Sequence, residues 1–345
     1  MVLMTRNYGI EPTPTTRYNH VQMGKDTGHR FGRRALVGLV IVLLVSSGSL
    51  AAWNYHLRTE LKETEASTRQ SRENNYPLLA SRIFIDNPND TILNFAPLRK
   101  DLRQYFSELN INYSFYAEYL PTGTSIKINA DNPMVGASLL KVPVVMNLMY
   151  AAEQGSIDLS QKAAIQEGDI DKRSGTLWEK GVGYKLTLKE LARHAIVDSD
   201  NTAINMLIGA TSGKFDLFQK TIEELDVDLT AASSTETTLG AQAYSSMLKC
   251  LYLSCLNTFS NSQQILGWLT ESNSPPRLRA DLPATVKVAH KYGTSGGKAE
   301  SDCGIVYVPK RPYIICIMIG ADADEANEII QEVSKKMYDY VTTVK

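Results

Sequence analysis

The sequence lacks an excess of either charge, and this absence limits the partners that it can have. Its 345 residues include 36 Lys and Arg residues against 37 Asp and Glu residues, a formal net charge of −1. The positive residues are scattered and form no basic patch with interleaved aromatic residues. We therefore expect no nucleic-acid partner.

Cysteine and histidine are scarce, with four and five residues respectively. No cysteine has the spacing of a metal ligand, so we expect no metal site. Gly296-Gly297 alone indicates a turn rather than a dinucleotide-binding loop, so we expect no cofactor.

The four cysteines fall into two pairs. Cys250 and Cys255 are five residues apart on a predicted helix, where their side chains point in different directions. Cys303 and Cys316 lie on neighbouring predicted strands but out of register. Disulfides can form outside the cytoplasm, but we interpret all four residues as buried thiols.

One long hydrophobic run is present, at residues 35–53, where nineteen residues carry no charge. This length is sufficient to cross a bilayer. Positive residues at 29–34 precede it, which predicts a cytoplasmic N-terminus and places the region after the run outside the cytoplasm. A cleaved signal peptide, ending near Ser49-Leu50-Ala51, is the alternative. A buried helix of a soluble domain is a second alternative, but the polar tail before it offers nothing to pack against.

The run divides the chain into regions of different composition. Residues 1–34 are polar and aperiodic and are interpreted as a disordered cytoplasmic tail. Residues 35–53 are the predicted transmembrane helix of a single-pass membrane protein. Residues 54–91 form a charged stalk and linker, and residues 92–345 form the main folded domain.

Hydrophobic periodicity predicts an α/β (α+β) fold for the last region. Strands are predicted at 113–119, 125–129, 284–290, 303–308 and 313–320, and the middle of the region is mostly helical. A final helix is predicted from about residue 323. We expect an antiparallel sheet flanked by N- and C-terminal helices, with an inserted all-helical lobe.

A Ser-x-x-Lys pattern occurs three times, beginning at Ser138, Ser246 and Ser295. Ser246 lies in a predicted amphipathic helix and Ser295 in a glycine-rich turn. Only Ser138 opens a long apolar helix, at residues 139–152, and Lys141 then lies on the same face of its first turn. A desolvated amine can accept the proton of a neighbouring hydroxyl, so this pair is suited to acyl transfer.

Two further motifs follow in order: Ser199-Asp200-Asn201, and Lys291-Tyr292-Gly293 at the end of a strand. This order resembles that of class A β-lactamases and penicillin-binding proteins, the penicillin-recognising serine hydrolases. The resemblance covers roughly residues 92–345, and it implies the β-lactamase/transpeptidase-like fold.

The resemblance also implies roles for individual residues. Ser138 would be the nucleophile, Lys141 its proton acceptor, and Ser199 the donor to the leaving nitrogen. Asn201 would bind the amide side chain of the substrate, and Lys291 would supply positive charge near the substrate carboxylate. The substrate-binding edge would include Gly293 and Thr294, and the N–H groups of Ser138 and Thr294 would form the oxyanion hole.

Two departures from the family pattern bear on function. Tyr292 occupies the position where the family usually has a small hydroxyl residue that helps to hold the substrate carboxylate, and Thr294 or Ser295 is the alternative donor. Residues 226–239 lack the Glu-x-x-Leu-Asn pattern of the deacylating glutamate, and Glu236 fits its register poorly. We therefore predict slow deacylation.

Two functions follow from these observations. The first is a membrane-anchored serine hydrolase that forms an acyl-enzyme with β-lactams or with D-Ala-D-Ala-type peptidoglycan stem peptides. The second is a catalytically impaired module that binds peptidoglycan or β-lactams without turnover.

Overall fold

The computed structural model describes residues 28–79, 92–212, 223–225, 230–233, 236–273, 275–296 and 298–344. The chain divides into two compact units, residues 1–69 and 70–345. Each unit is described by itself below.

The first unit is represented by helix α1, Gly28–Asn75, which continues into the start of the second. The helix begins within the predicted tail, residues 1–34, and extends into the predicted stalk and linker, residues 54–91. Among the described residues, α1 is long and apolar enough to cross a membrane, and the candidate membrane span is Leu36–Thr68. The apolar side chains of that region are exposed.

The second unit is built on a five-stranded antiparallel sheet. Its strands are, in chain order, β1 (Asn112–Tyr119), β2 (Thr124–Ile128), β8 (Lys287–Thr294), β9 (Glu300–Tyr307) and β10 (Tyr313–Gly320). In space they follow the order β2-β1-β10-β9-β8, so β8 is an outermost strand. Each predicted strand is confirmed, with bounds shifted by a few residues.

The central strand β10 shows why the sheet is buried on both faces. Ile315, Ile317 and Ile319 join one hydrophobic core, and Ile314 and Met318 join the other. Side chains alternate between the faces of a strand, so a continuous apolar run indicates cover on both sides.

Two terminal helices cover one face of the sheet. They are α2 (Ala96–Glu108) and α8 (Ala323–Thr343). The apolar face predicted for the last helix is buried, including Ile330, Val333 and Val341. The prediction that N- and C-terminal helices flank the sheet is confirmed.

The inserted lobe covers the other face. Its helices are α3 (Lys141–Glu153), α4 (Leu188–Val197), α5 (Asn201–Thr211), α6 (Ala241–Leu253) and α7 (Phe259–Thr270). Helix α4 begins with a capping box, in which Thr187 and Glu190 bond each other's backbone N–H groups. The apolar helix predicted after Ser138 is almost entirely buried, as its composition suggested.

The lobe is mainly helical but also holds short strands that the sequence analysis did not predict. They are β3 (Met134–Val135), β4 (Lys162–Ala164), β5 (Lys185–Thr187), β6 (Thr230–Ser233) and β7 (Glu236–Leu239). Strands β4 and β5 pair with each other, and β7 pairs with both β3 and β6. Strands of two to four residues are too short to show a period.

Part of the predicted linker belongs to the folded unit. Leu78 and Leu79 are buried in the core beside the lobe, and the Tyr307 hydroxyl donates to the Leu78 carbonyl at 2.9 Å. The boundary at residue 92 itself stays a prediction.

The interpretation of the cysteines as buried thiols is wrong. The structure has two disulfides, Cys250–Cys255 and Cys303–Cys316. Helix α6 ends at Leu253 and Ser254 is left-handed, so Cys255 turns back toward the helix end instead of continuing on it. Cys303 and Cys316 are directly opposite each other on β9 and β10, not out of register.

Candidate active site

The turn that carries Ser138 lies between β3 and α3. Residues Ala137–Leu140 form a short 3-10 helix, and its last turn leads directly into Lys141 at the start of α3. Ala137 has a φ of 43°, a conformation that is uncommon for a residue with a side chain. Such backbone is typical of functional sites, where the surrounding structure holds a residue in a fixed position.

Lys141 is buried, and its amine points at the loop between α4 and α5. Its Nζ donates to the Ser199 carbonyl and to Asn201 Oδ1 at 2.7 Å, and it lies 3.3 Å from Ser199 Oγ. Burial lowers the pKa of Lys141 to about 8, although the negative charges of Asp200 and Asp171 act to raise it. A lysine with this pKa has a substantial neutral fraction near neutral pH and is a competent proton acceptor.

Ser199 is held by its sequence neighbour. Its φ is 51°, and Asp200, which follows it, is the N-cap of α5. The buried Asp200 carboxylate accepts from the N–H groups of Ala203 and Leu177, each at 2.8 Å. The cap anchors the loop on two sides, and the buried Ser199 is thereby held in place within the site.

A second loop supports this motif from outside. The Ser174 hydroxyl donates to the Ser199 carbonyl at 2.9 Å, and the Asn201 N–H donates to the Ser174 carbonyl. Gly175 has a φ of 81°, and a Cβ there would lie 2.0 Å from a carboxylate oxygen of Asp200. The sequence analysis did not single out Ser174 or Gly175. A glycine in a loop of small polar residues was the only available signal.

Lys291 approaches the same hydroxyl from the sheet. It lies on β8 and is fully buried, and its Nζ donates to Ser199 Oγ at 2.8 Å. Burial lowers the pKa of Lys291 well below its ordinary value, and the nearby charge of Lys141 lowers it further. The two amines therefore meet at Ser199 Oγ, which leaves the hydroxyl proton of Ser199 available to a third group.

Gly293 brings the outer edge of β8 against the Ser138 turn. A Cβ on Gly293 would lie 3.1 Å from the Gly136 carbonyl oxygen and 3.3 Å from Leu139. The N–H of Ser295 donates to the carbonyl of Ala299, the residue before β9, and alternation in an antiparallel ladder then directs the Thr294 N–H away from β9. That donor lies on the strand edge that faces the Ser138 turn.

The predicted residues therefore converge from the lobe and the sheet. Lys141, Ser199, Asn201 and Lys291 are joined by hydrogen bonds, and Gly293 packs on the turn of the half-buried Ser138. Among the described residues, no group of three or more His, Cys, Asp or Glu side chains is arranged to hold a metal ion.

Tyr292 contacts two cations. The Lys291 Nζ lies 4.4 Å from the centroid of its ring, and the Arg277 guanidinium carbon lies 5.9 Å from it. The residue that departs from the family motif therefore packs between two positive groups by cation–π contact.

A buried ion pair beneath β8 was not predicted from the sequence. Arg277 and Glu300 are about 3% and 1% exposed, and they bond each other. The Glu300 carboxylate also accepts from the Thr294 hydroxyl at 2.9 Å. Isolated charged residues, 23 positions apart, carry no local pattern that identifies such a pair.

The segment predicted to lack a deacylating glutamate is only partly described. Residues 226–229 and 234–235 lie outside the described residues, and of Glu236 only its backbone place at the start of β7 is given. Strand β7 pairs with β3, and the Gly136 N–H donates to the Thr237 carbonyl at 3.0 Å. The segment thus adjoins the Ser138 turn through its backbone.

Comparisons with known proteins agree with this geometry. A family model described as "Beta-lactamase enzyme family" matches residues 97–341. The extended-spectrum β-lactamase PER-1 of Pseudomonas aeruginosa is 26% identical over 230 residues, covering 59% of this chain and 74% of the relative. The β-lactamase ROB-1 of Haemophilus influenzae is 25% identical over 260 residues, covering 70% and 84%.

Solved structures show the same fold. PBP-A superposes with a TM-score of 0.65 at 22% identity, covering 71% of this chain and 95% of PBP-A. The ancestral class A β-lactamase GNCA gives a TM-score of 0.64 at 24% identity, covering 70% and 99%. With the family model matched over more than half of its length, the chain belongs to the β-lactamase enzyme family and is a serine hydrolase.

Proposed function

We propose that this serine hydrolase is membrane-anchored and forms an acyl-enzyme through Ser138 with β-lactams or with D-Ala-D-Ala-type peptidoglycan peptides. The observation that carries the proposal is the meeting of Lys141, which follows Ser138 by three residues, and Lys291 at Ser199 Oγ. This arrangement offers a route for a proton from nucleophile to leaving group.

In the first step, Ser138 Oγ attacks the carbonyl carbon of the substrate and Lys141 Nζ takes the hydroxyl proton. The negative charge that develops on the carbonyl oxygen is stabilised by the N–H groups of Ser138 and Thr294. Backbone donors fixed by a helix start and a strand edge need no reorganisation during the reaction, which is the condition for effective stabilisation.

In the second step, the C–N bond breaks and the leaving nitrogen takes the proton of Ser199. Ser199 is then reprotonated from the amines that donate to its oxygen, Lys141 and Lys291. Asn201 Oδ1 accepts from Lys141, and its side-chain NH₂ group, which bonds Asp171, has a second N–H for an amide of the substrate.

The substrate class is supported by the relatives. The curated relatives described above are β-lactamases. A mutant of the neighbour PBP-A has been solved as an acyl-enzyme complex with penicillin G. D-Ala-D-Ala peptides share with penicillin an amide carbonyl that a serine can attack, and they are the second substrate class in the proposal.

Deacylation of this acyl-enzyme is expected to be slow. Hydrolysis of the ester needs an activated water, and residues 236–240 read Glu-Thr-Thr-Leu-Gly, so the final Asn of the Glu-x-x-Leu-Asn pattern is missing. Glu236, Lys141 and Ser199 are the candidates to activate water, but the last two are engaged in proton transfer during acylation.

The proposed anchor is residues 35–53, with the catalytic region outside the cytoplasm. The apolar part of α1 is long enough to span a bilayer. Both disulfides lie in the catalytic unit, and disulfides persist in oxidising compartments. The catalytic unit is therefore suited to the outer side of the membrane.

A binding module without turnover is the second candidate function. It is favoured by Tyr292, which fills the place of a small hydroxyl residue. It is disfavoured by the buried amines at Ser199, because a binding site has no need of two lysines from which water is excluded.

A fluorescent penicillin separates the two candidates. The enzyme should carry a label that survives denaturation, and Ser138→Ala should carry none. Ser246→Ala is a matched control, because Ser246 also precedes a lysine by three residues but its hydroxyl bonds the Gln242 carbonyl inside α6. Covalent labelling that persists in Ser138→Ala would refute the assignment of the nucleophile.

A further inference from the structure

The end of the site near Thr294 has few side-chain donors left for a substrate carboxylate. The two hydroxyls that are alternatives for the missing motif hydroxyl both donate within the protein. Thr294 Oγ1 donates to Glu300, and Ser295 Oγ donates to the Ala299 carbonyl at 3.1 Å. Neither hydroxyl proton is then available to a substrate anion.

Arg277 donates to the Gly293 carbonyl on β8 but is not part of the three motifs, and Glu300 neutralises its charge. Its Nε donates to Asn327 Oδ1 at 2.7 Å, and its Nη1 donates to the carbonyls of Gly293 and Ser301. Its Nη2 bonds the Glu300 carboxylate. Four of its five N–H donors are engaged in these bonds.

Glu300 therefore engages both the hydroxyl and the guanidinium that could otherwise hold a substrate carboxylate at the edge of β8. Its carboxylate is buried and is within hydrogen-bond distance of both Thr294 and Arg277. Lys291 of the third motif donates to Ser199 Oγ and to the Tyr292 carbonyl. A substrate carboxylate brought to this edge would compete with Glu300 for these donors, whereas an uncharged group would leave the bonds of Glu300 intact.

We propose that Glu300 makes the site select acyl donors whose leaving portion ends in an uncharged group, such as an amide, over donors that end in a free carboxylate. This inference rests on the proposed acylation of Ser138. It assigns Glu300 and Arg277 a part in substrate selection, and it identifies the preferred substrate class as amidated or internally linked peptides.

Two matched thioesters test the preference directly. One is the benzoyl-D-alanyl thioester of thioglycolic acid, and the other is the corresponding thioglycolamide. Attack by Ser138 Oγ breaks the C–S bond of either and releases a thiol that carries away the proton. We expect kcat/KM of the full-length protein to be about tenfold higher for the amide, a ratio that corresponds to one modest charge interaction.

Glu300→Gln should bring the two values within about threefold of each other. Glu118→Gln is the matched control, since Glu118 is also a buried carboxylate in an ion pair, with Lys249, but lies on β1, three strands from β8. It should leave the ratio unchanged. An unchanged ratio in a folded Glu300→Gln variant would overturn the proposal. So would a wild-type preference for the acid, which decides the matter even if the variant does not fold.

Binding to Ser138→Ala separates this proposal from the proposed function. Calorimetry with N-acetyl-D-alanyl-D-alanine and its amide should show tighter binding of the amide. Preference for the amide without any acylation by the wild type would support selection by Glu300 and refute the hydrolase mechanism. Acylation of Ser138 without preference would do the reverse, and absence of both would refute both.

Discussion

At the scale of single residues, the chemistry depends on the protonation of Lys141. Its amine is buried, and this lowers its pKa to about 8. The neutral amine is the form that accepts a proton, and its fraction rises with pH until the pKa is passed. Lys291 contacts the same hydroxyl, so the measured value will belong to the coupled pair.

The rate of acylation should therefore rise with pH and level off above about 8. Lys141→Ala should lower it by about two to four orders of magnitude, the usual contribution of a positioned general base. Lys249→Ala, which removes the lysine of the Ser246 pattern, should leave the rate unchanged. The measurement is the second-order rate of β-lactam acylation between pH 6 and 10. A rate that is flat across this range would remove Lys141 as the base.

Asp200 supports the site through its cap. Asp200→Ala removes the acceptor of two buried N–H groups, those of Ala203 and Leu177, and should reduce the free energy of unfolding by about 1–3 kcal/mol. Chemical denaturation measures the loss. Asp158→Ala is the control. It removes a carboxylate that accepts from Ser160 in an exposed loop, and it should reduce the free energy of unfolding by less. Equal losses for the two variants would contradict the capping role.

Sequence reasoning worked best for residues that lie in contiguous motifs. Ser138, Lys141 and Ser199 were predicted as site residues because each motif places chemically paired residues within a few positions, and the structure joins Lys141 to Ser199. Arg277 and Glu300 were not, because their pairing depends on a fold that brings separate segments together. Tyr292 was recognised as a departure, but its contact with two cations was not foreseeable.

At the scale of elements, the site depends on how closely β8 approaches the Ser138 turn. Gly293→Ala would place a methyl group 3.1 Å from the Gly136 carbonyl oxygen, so the turn or the strand must shift. Displacement of this kind is sufficient to misplace an oxyanion donor. We expect at least a tenfold loss of acylation with the fold retained, as judged by circular dichroism and labelling rate.

Gly267→Ala is the control for this substitution. It lies inside α7, and a Cβ there meets no other atom within 4 Å. The variant should keep its acylation rate and gain up to about 1 kcal/mol of stability from better helix propensity. Similar losses of acylation in both variants would show that close packing at Gly293 is not the cause.

The disulfides show which properties of elements a sequence conceals. Strands β9 and β10 were predicted, yet the register that places Cys303 opposite Cys316 depends on the geometry of the turn between them. Closing a loop of this length should contribute about 2–3 kcal/mol. Peptide mapping without reductant should find both disulfides. Free thiols in protein whose catalytic unit lies outside the cytoplasm would contradict the structure.

At the scale of the whole molecule, the layered architecture followed from hydrophobic patterns. Strands at both ends of the catalytic region, with helices between them, were sufficient to predict a sheet with an inserted lobe. The short strands of the lobe were missed because two to four residues show no period. The membrane anchor at 35–53 was predicted from composition and stays a prediction.

The anchor prediction can be tested in spheroplasts of an expressing bacterium. Added protease should digest the catalytic unit and spare the N-terminal tail, because the anchor at 35–53 separates them. A cytoplasmic enzyme in the same cells should stay intact as a control for lysis. A soluble catalytic unit that begins near Ala52 would instead establish signal cleavage.

The central claim is that Ser138 forms an acyl-enzyme that deacylates slowly. The most direct measurement is rapid mixing with a chromogenic cephalosporin, with intact-mass spectrometry on samples quenched over the same interval. We expect one equivalent of ring opening in a burst, one adduct on the peptide that contains Ser138, and a slow steady state afterwards. Fast linear turnover without a burst, or an adduct on any other residue, would contradict the account.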